Sequence, residues 1–229
     1  MTDNITQMLK RLLVAIVFSI AFGYIESAVV VYLRAIFHPD GFDFPMQVFA
    51  LTAQGRHLLL TEVGREVATL VLILTAAWLF GRNRQEIVAY FMLIFAVWDI
   101  FYYVWLKVLL DWPATLMDWD ILFLIPVAWA SPVLYPVLIS IAMFALAVVI
   151  LYRSAQNRPL RVALSDWLGW TVAALIVVVS FCLAGVQINQ PDYASHFYPP
   201  LFAFGCAVGV TVSVRSLLRS PAKAFAQPS

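Results

Sequence analysis

The sequence predicts an all-α fold, a polytopic membrane bundle of six transmembrane helices, and three observations predict it. Of the 229 residues, 63% are hydrophobic and only 12% charged, against about 25% charged in soluble domains. Mean hydropathy is +0.90. Apolar runs repeatedly reach the ~18 residues needed to cross a bilayer as a helix. The lipid bilayer is therefore the first expected partner. A net charge of +1, with no basic stripe carrying interleaved aromatics, argues against nucleic acid. No low-complexity segment or clear internal repeat divides the chain, so residues 1–229 read as a single integral membrane domain.

The elements follow in order. Lys10 and Arg11 precede an apolar run of 22 residues, Leu12–Leu33. It exceeds the ~7–15 residues of a signal-peptide core, ends in no small-residue cleavage site and contains Glu26, so it reads as a retained first span. The second span is Leu58–Phe80 and the third Ile87–Leu109. The stretch Asp120–Tyr152 is too long for one span and too short for two, and Pro126, Pro132 and Pro136 punctuate it. This predicts a short interfacial or re-entrant segment over Asp120–Pro126, then a fourth span, Pro132–Tyr152. The fifth is Trp167–Gln187. The sixth, Pro199–Leu218, opens with proline at the helix start.

Basic residues orient the bundle. Lys10 and Arg11, Arg82 and Arg84, Arg153, Arg158 and Arg161, and Arg215, Arg219 and Lys223 all fall on one side. That side should be the cytoplasmic face of an inner (plasma) membrane, with both termini in the cytoplasm. Only Arg34 and Arg56 lie in the opposite connections, where Asp40, Asp43, Asp111, Asp118, Asp120 and Asp192 collect. The aromatic-rich first outer loop, Arg34–His57, is expected along the membrane surface as a partial lid or an interfacial anchor.

Small residues spaced by four, Ser19–Gly23–Ser27 and Gly205–Gly209–Ser213, allow helix backbones to approach closely. Packing within one subunit is the first expectation, and a face for a homo-oligomer the alternative. Cys182 and Cys206 fall in adjacent spans without a redox motif and read as packed thiols.

Function is concentrated in acids that interrupt the apolar spans. Glu26, Glu62, Glu66 and Asp99 all fall in the outer part of the bundle, where a carboxylate needs a partner, an ion or water. Glu62, Arg65, Glu66 and Thr69 share one helix face, and Asp99, Tyr102 and Tyr103 share another. Turned inward, these faces make one polar cavity. Four carboxylates against Arg65 and Lys107 leave an excess negative charge. A divalent metal ion would neutralise it, with Glu62, Glu66 and Asp99 as ligands and His196 or His57 completing the shell. In the loop between the third and fourth spans, Asp118 or Asp120 could hang over the cavity mouth. Asp120 could equally cap a helix.

Two function classes fit. One is a membrane-embedded enzyme with an outward-facing acidic site. Glu62, Glu66 and Asp99 would be acid/base groups or metal ligands, and Arg65 would orient an anionic or lipid-linked substrate for hydrolysis or transfer. The other is a proton- or cation-coupled transporter, because intramembrane acids are common carriers. A non-catalytic subunit of a membrane complex is a third reading. No phosphate-binding loop, nucleophile elbow or H-E-x-x-H motif is present.

Overall fold

The structure, a computed structural model, describes residues 2–38, 41–42, 44–45 and 53–219. Of the described residues, 77% are helical. Six helices, α1 (Thr2–Phe37), α2 (Ala53–Phe80), α3 (Arg84–Leu110), α4 (Leu134–Ala155), α5 (Leu164–Gly185) and α6 (Pro199–Arg219), account for most of it. All six are long and apolar enough to cross a membrane. Asp40, Asp43, Lys223 and most of the aromatic loop expected as a lid lie outside the described residues.

Local chemistry sets the turns. The α2–α3 connection is tight because Asn83 caps α3, accepting the Glu86 N–H at 3.1 Å, while the Glu86 carboxylate reaches back to the Arg82 N–H at 2.9 Å. Glu86 also accepts from Ser154 of α4 at 2.7 Å. At the start of α5, Asp166 accepts from the Ala163 N–H at 2.9 Å and from Arg215 and Arg219 of α6 at 2.6 and 3.0 Å. Two buried carboxylates thus tie neighbouring elements together at the end of the bundle that carries the α2–α3 and α4–α5 turns.

The small-residue stripes let helices approach within the chain. A side chain at Gly23 would meet the Trp98 carbonyl at 3.1 Å and the Tyr102 nitrogen at 3.3 Å. Ser27 takes advantage of that closeness, donating to the carbonyls of Gly23 (2.8 Å) and Tyr102 (3.0 Å). The α5–α6 pair repeats the device, with Gly205 against Val177 and Ala173 and Trp170 donating to Ser213 at 3.0 Å. Cys182 and Cys206 are both free thiols.

One element departs from a purely helical reading. The expected interfacial segment Asp120–Pro126 is one arm and the tip of an antiparallel hairpin. Its strands are β1 (Trp119–Phe123) and β2 (Trp129–Pro132), in the register Trp119↔Pro132, Asp120↔Ser131 and Ile121↔Ala130. Asp120 is therefore a strand residue and not a helix cap. Pro126 and Pro132 bar a helix here, and the paired strands satisfy each other's backbone, so non-helical chain can lie among helices. The hairpin inserts between the helices. Phe123 rests on Phe95 and Trp98 at 6.4 and 6.3 Å between ring centres, and Trp129 on Phe181 at 6.5 Å. Its tip reaches midway along α2, where the Leu124 N–H donates to Glu66. Gly185 is required at the tip's other side, since a Cβ there would fall 1.8 Å from the Ala128 carbonyl oxygen.

The main core lies between α1, α2, α3 and α4 on the side of the α2–α3 turn. It is built from Ala15, Ile73, Ala77, Ala89, Leu93, Ile94, Trp98, Ala147 and Leu151, with Phe22 and Phe123 packed against it.

Candidate functional site

Helical periodicity brings the acidic faces together. In α1, Glu26, Val30, Leu33, Arg34 and Phe37 recur at three- and four-residue intervals. In α2 the same interval aligns Glu62, Arg65 and Glu66. In α3 it aligns Trp98 and Asp99 with Tyr102 and Tyr103. These three faces enclose a cavity of about 120 Å³, walled on its fourth side by Asp120, Ile121, Leu122 and Leu124 of the hairpin and flanked by His38 and Phe42. The space exists because α1 and α2 both pack on α3 and scarcely on each other. What spans the gap is ionic: Arg65 donates to Glu26 of α1 and to Glu62 of its own helix.

The acids differ in their partners. Glu26 and Glu62 share the Arg65 guanidinium, whose Nε also donates to Glu62 at 2.9 Å. Arg65 is therefore committed to two carboxylates. Glu66 is buried and accepts the Leu124 N–H with both oxygens at 3.0 Å. Asp99 accepts from Ser140 at 2.8 Å. Among the described residues neither Glu66 nor Asp99 has a cation within ion-pair distance.

Asp120 forms the hairpin side of the site. Burial pushes its carboxyl up to about 6, against the opposing pull of Arg34, the Ile121 N–H and the hydroxyls of Tyr103 and Tyr102. Among the described residues its Oδ2 accepts no hydrogen bond, and Oδ1 lies 3.6 Å from Arg34 Nη2. Arg34, expected in a loop, sits in the last turn of α1, buried in the corner formed by the rings of Phe42 and Trp112 at 3.8 and 3.9 Å. Burial and the Arg34 charge hold His38 below the usual imidazole range.

Several expected residues lie elsewhere. Asp118 is absorbed by its own turn, accepting from Ala114 N–H at 2.7 Å and Thr115 Oγ1 at 2.8 Å, and it does not line the cavity. Lys107 pairs with exposed Asp111 at 2.7 Å and supplies no charge to the cavity. His196 faces Asp192 at 3.4 Å, beside the 3-10 turn that leads into α6. His57 is exposed on α2 outside the cavity wall. The proposed metal shell of Glu62, Glu66, Asp99 and His196 does not assemble. Among the described residues no three His, Cys, Asp or Glu side chains gather in a way that could hold an ion, because Glu62 is bound by Arg65 and His196 is held outside the cavity.

Arg34 is the cavity residue that sequence reasoning missed. It lies eight residues beyond Glu26 on the same helix face, so continuing the face past the expected span end at Leu33 would have found it. Comparison with protein-family profiles, curated proteins and solved structures gave no match to this chain.

Proposed function

We propose that the protein is a membrane-embedded enzyme that catalyses hydrolysis or transfer at the polar head of an amphipathic, lipid-linked substrate. The observation that carries this reading is that the polar space abuts the hydrophobic core through a shared residue. Carboxylates, tyrosines and arginines line the cavity, but Trp98 borders both it and the hydrophobic cluster that fills the bundle beyond. A transporter needs a polar route toward both faces, and this packing favours a site served from one side.

In this reading both termini are cytoplasmic, the membrane is the plasma membrane, and the hairpin is a re-entrant element dipping from the outer face. The asymmetry of Lys and Arg supports that orientation. In this reading lipid reaches the site between α1 and α2, helices that expose Ile25, Tyr32 and Ile36 and Leu60 and Val67.

The chemistry follows from which acids lack a cation. Asp99 and Glu66 are the acid/base pair. One takes the proton from an attacking hydroxyl or water as the new bond to oxygen forms, and the other gives a proton to the departing oxygen as its bond breaks. The Arg65–Glu26–Glu62 cluster joins α1 to α2 and holds the pair's setting in place. The Tyr102 and Tyr103 hydroxyls are placed to donate to a developing negative charge.

The test uses the full chain in proteoliposomes made from a total phospholipid extract, with headgroup release followed by ³¹P spectroscopy. Asp99→Asn and Glu66→Gln should each lower turnover by about 100-fold or more without loss of folded protein. Unchanged turnover in both variants, or a proton or cation flux that vanishes with Asp99→Asn, would overturn the proposal in favour of transport.

A further inference from the structure

Of the two arginines lining the cavity, Arg34 and Arg65, one has partners of a different kind. The guanidinium edge formed by Nε and Nη2 carries two parallel N–H groups that match two oxygens of an oxyanion. Arg215 turns that edge onto Asp166, at 3.1 and 2.6 Å. Arg65 turns it onto Glu62. Arg34 has the same edge in the cavity wall, yet its Nε and Nη2 are buried and make no hydrogen bond among the described residues. Among the described residues the carboxylate that faces it, Asp120, stops 3.6 Å away. The rings of Phe42 and Trp112, set at 84° to each other, lie 3.8 and 3.9 Å from the guanidinium carbon and close off two of its sides. A buried donor without a hydrogen bond is costly, and a bidentate oxyanion relieves two at once. Leu33 and Phe37 of the adjacent wall provide apolar surface for a chain attached to that anion.

We propose that Arg34 is the anion subsite of this cavity and that the substrate's head carries a phosphate bound side-on by Nε and Nη2. This rests on the cavity being the substrate site and names the class of substrate it takes. Asp120 is then the internal group that an incoming phosphate displaces from the neighbourhood of Arg34.

Binding to the purified full chain in a neutral maltoside detergent tests this, by calorimetry at fixed pH. The probes are decyl phosphate, decanol and inorganic phosphate. Decyl phosphate should bind and decanol should not. Arg34→Gln should weaken decyl phosphate by about tenfold or more, the equivalent of one charged hydrogen bond. Arg34→Lys, which keeps the charge without the fork, should also weaken it, and decides the matter if Arg34→Gln does not fold. Asp120→Asn should bind as tightly as wild type or more tightly. Inorganic phosphate binding as well as decyl phosphate would support the subsite and identify a soluble source for the anion. Equal affinity in wild type and both Arg34 variants would overturn the proposal, and so would weakened binding in Asp120→Asn, which would make Arg34 and Asp120 a structural pair. Binding is read apart from turnover. Headgroup release that persists without phosphate binding sinks the subsite alone. Phosphate binding that persists while Asp99→Asn and Glu66→Gln turn over normally sinks the catalytic reading alone.

Discussion

Glu86 and Asp166 at one end of the bundle are as buried as Glu66 and Asp120 in the cavity: 3% and 0% exposed against 5% and 2%. Burial therefore does not separate the two regions. Partners do. Glu86 accepts from the Arg82 backbone, the Arg82 guanidinium and Ser154. Asp166 accepts from the Ala163 backbone and two arginines. In the cavity, Glu66 has one backbone N–H, Asp99 one hydroxyl, and Asp120 and Arg34 leave buried polar atoms unmatched. Saturated ion clusters hold helices together. An unsaturated one retains capacity for something that is not part of the chain.

The largest effect that can break this contrast is on stability. Asp166→Ala removes the acceptor for Arg215, Arg219 and the Ala163 N–H. The arginines are 46% and 40% exposed at their side chains and rehydrate, so the loss should be about 1–3 kcal/mol rather than the full cost of a deeply buried pair. Asp99→Asn keeps a hydrogen-bond acceptor for Ser140 and discards a charge that has no cation beside it. It should leave stability unchanged or raise it. Thermal unfolding of both variants in one detergent checks this. A large loss for Asp99→Asn with none for Asp166→Ala would reverse the assignment of the two regions.

A smaller effect sharpens it. Asp120 holds its proton up to about pH 6 because burial disfavours its charge. The groups around it are Arg34 of α1 and Tyr102, Tyr103 and Asp99 of α3, with His38 beside Arg34 and below its usual range. Above pH 6 the ionised Asp120 competes with a bound anion for Arg34, and below pH 6 the neutral acid does not. Affinity for decyl sulfonate, whose own charge is fixed, should therefore rise on the order of tenfold from pH 7 to pH 5. Asp120→Asn should flatten that dependence. A wild-type affinity that is level across this range would remove Asp120 from the site.

How much of this was legible in the sequence depends on the kind of signal. The six helices were, because hydropathy integrated over twenty residues outweighs local ambiguity. The three faces carrying Glu26, Glu62, Arg65, Glu66, Asp99, Tyr102 and Tyr103 were too, because helical spacing fixes which side chains are neighbours. The hairpin was less so. Trp119–Pro132 is short, apolar and broken by Pro126, and its pairing is non-local information that periodicity does not carry. Arg34 was missed for a related reason. A basic residue at the end of an apolar run marks a helix end on any hydropathy reading, while its burial here comes from Phe42 and Trp112, which sequence separation hides. The metal shell failed on a different point: charge counting could not show that Arg65 answers Glu26 and Glu62 together, or that Lys107 and His196 lie outside the cavity.

The smallest effect concerns the back of the site helix. Gly64 sits between Glu62 and Glu66 in sequence but is exposed on α2, and an added Cβ would meet nothing within 4 Å. If function belongs only to the face bearing Glu62, Arg65 and Glu66, Gly64→Ala should stiffen the helix, raise stability by at most about 0.5–1 kcal/mol and leave headgroup turnover alone. A several-fold fall in turnover with intact folding would mean that α2 must flex, or meet a partner, at this point. The functional region would then extend beyond the cavity wall to the outer face of α2, and unsaturated polar partners would no longer mark its boundary.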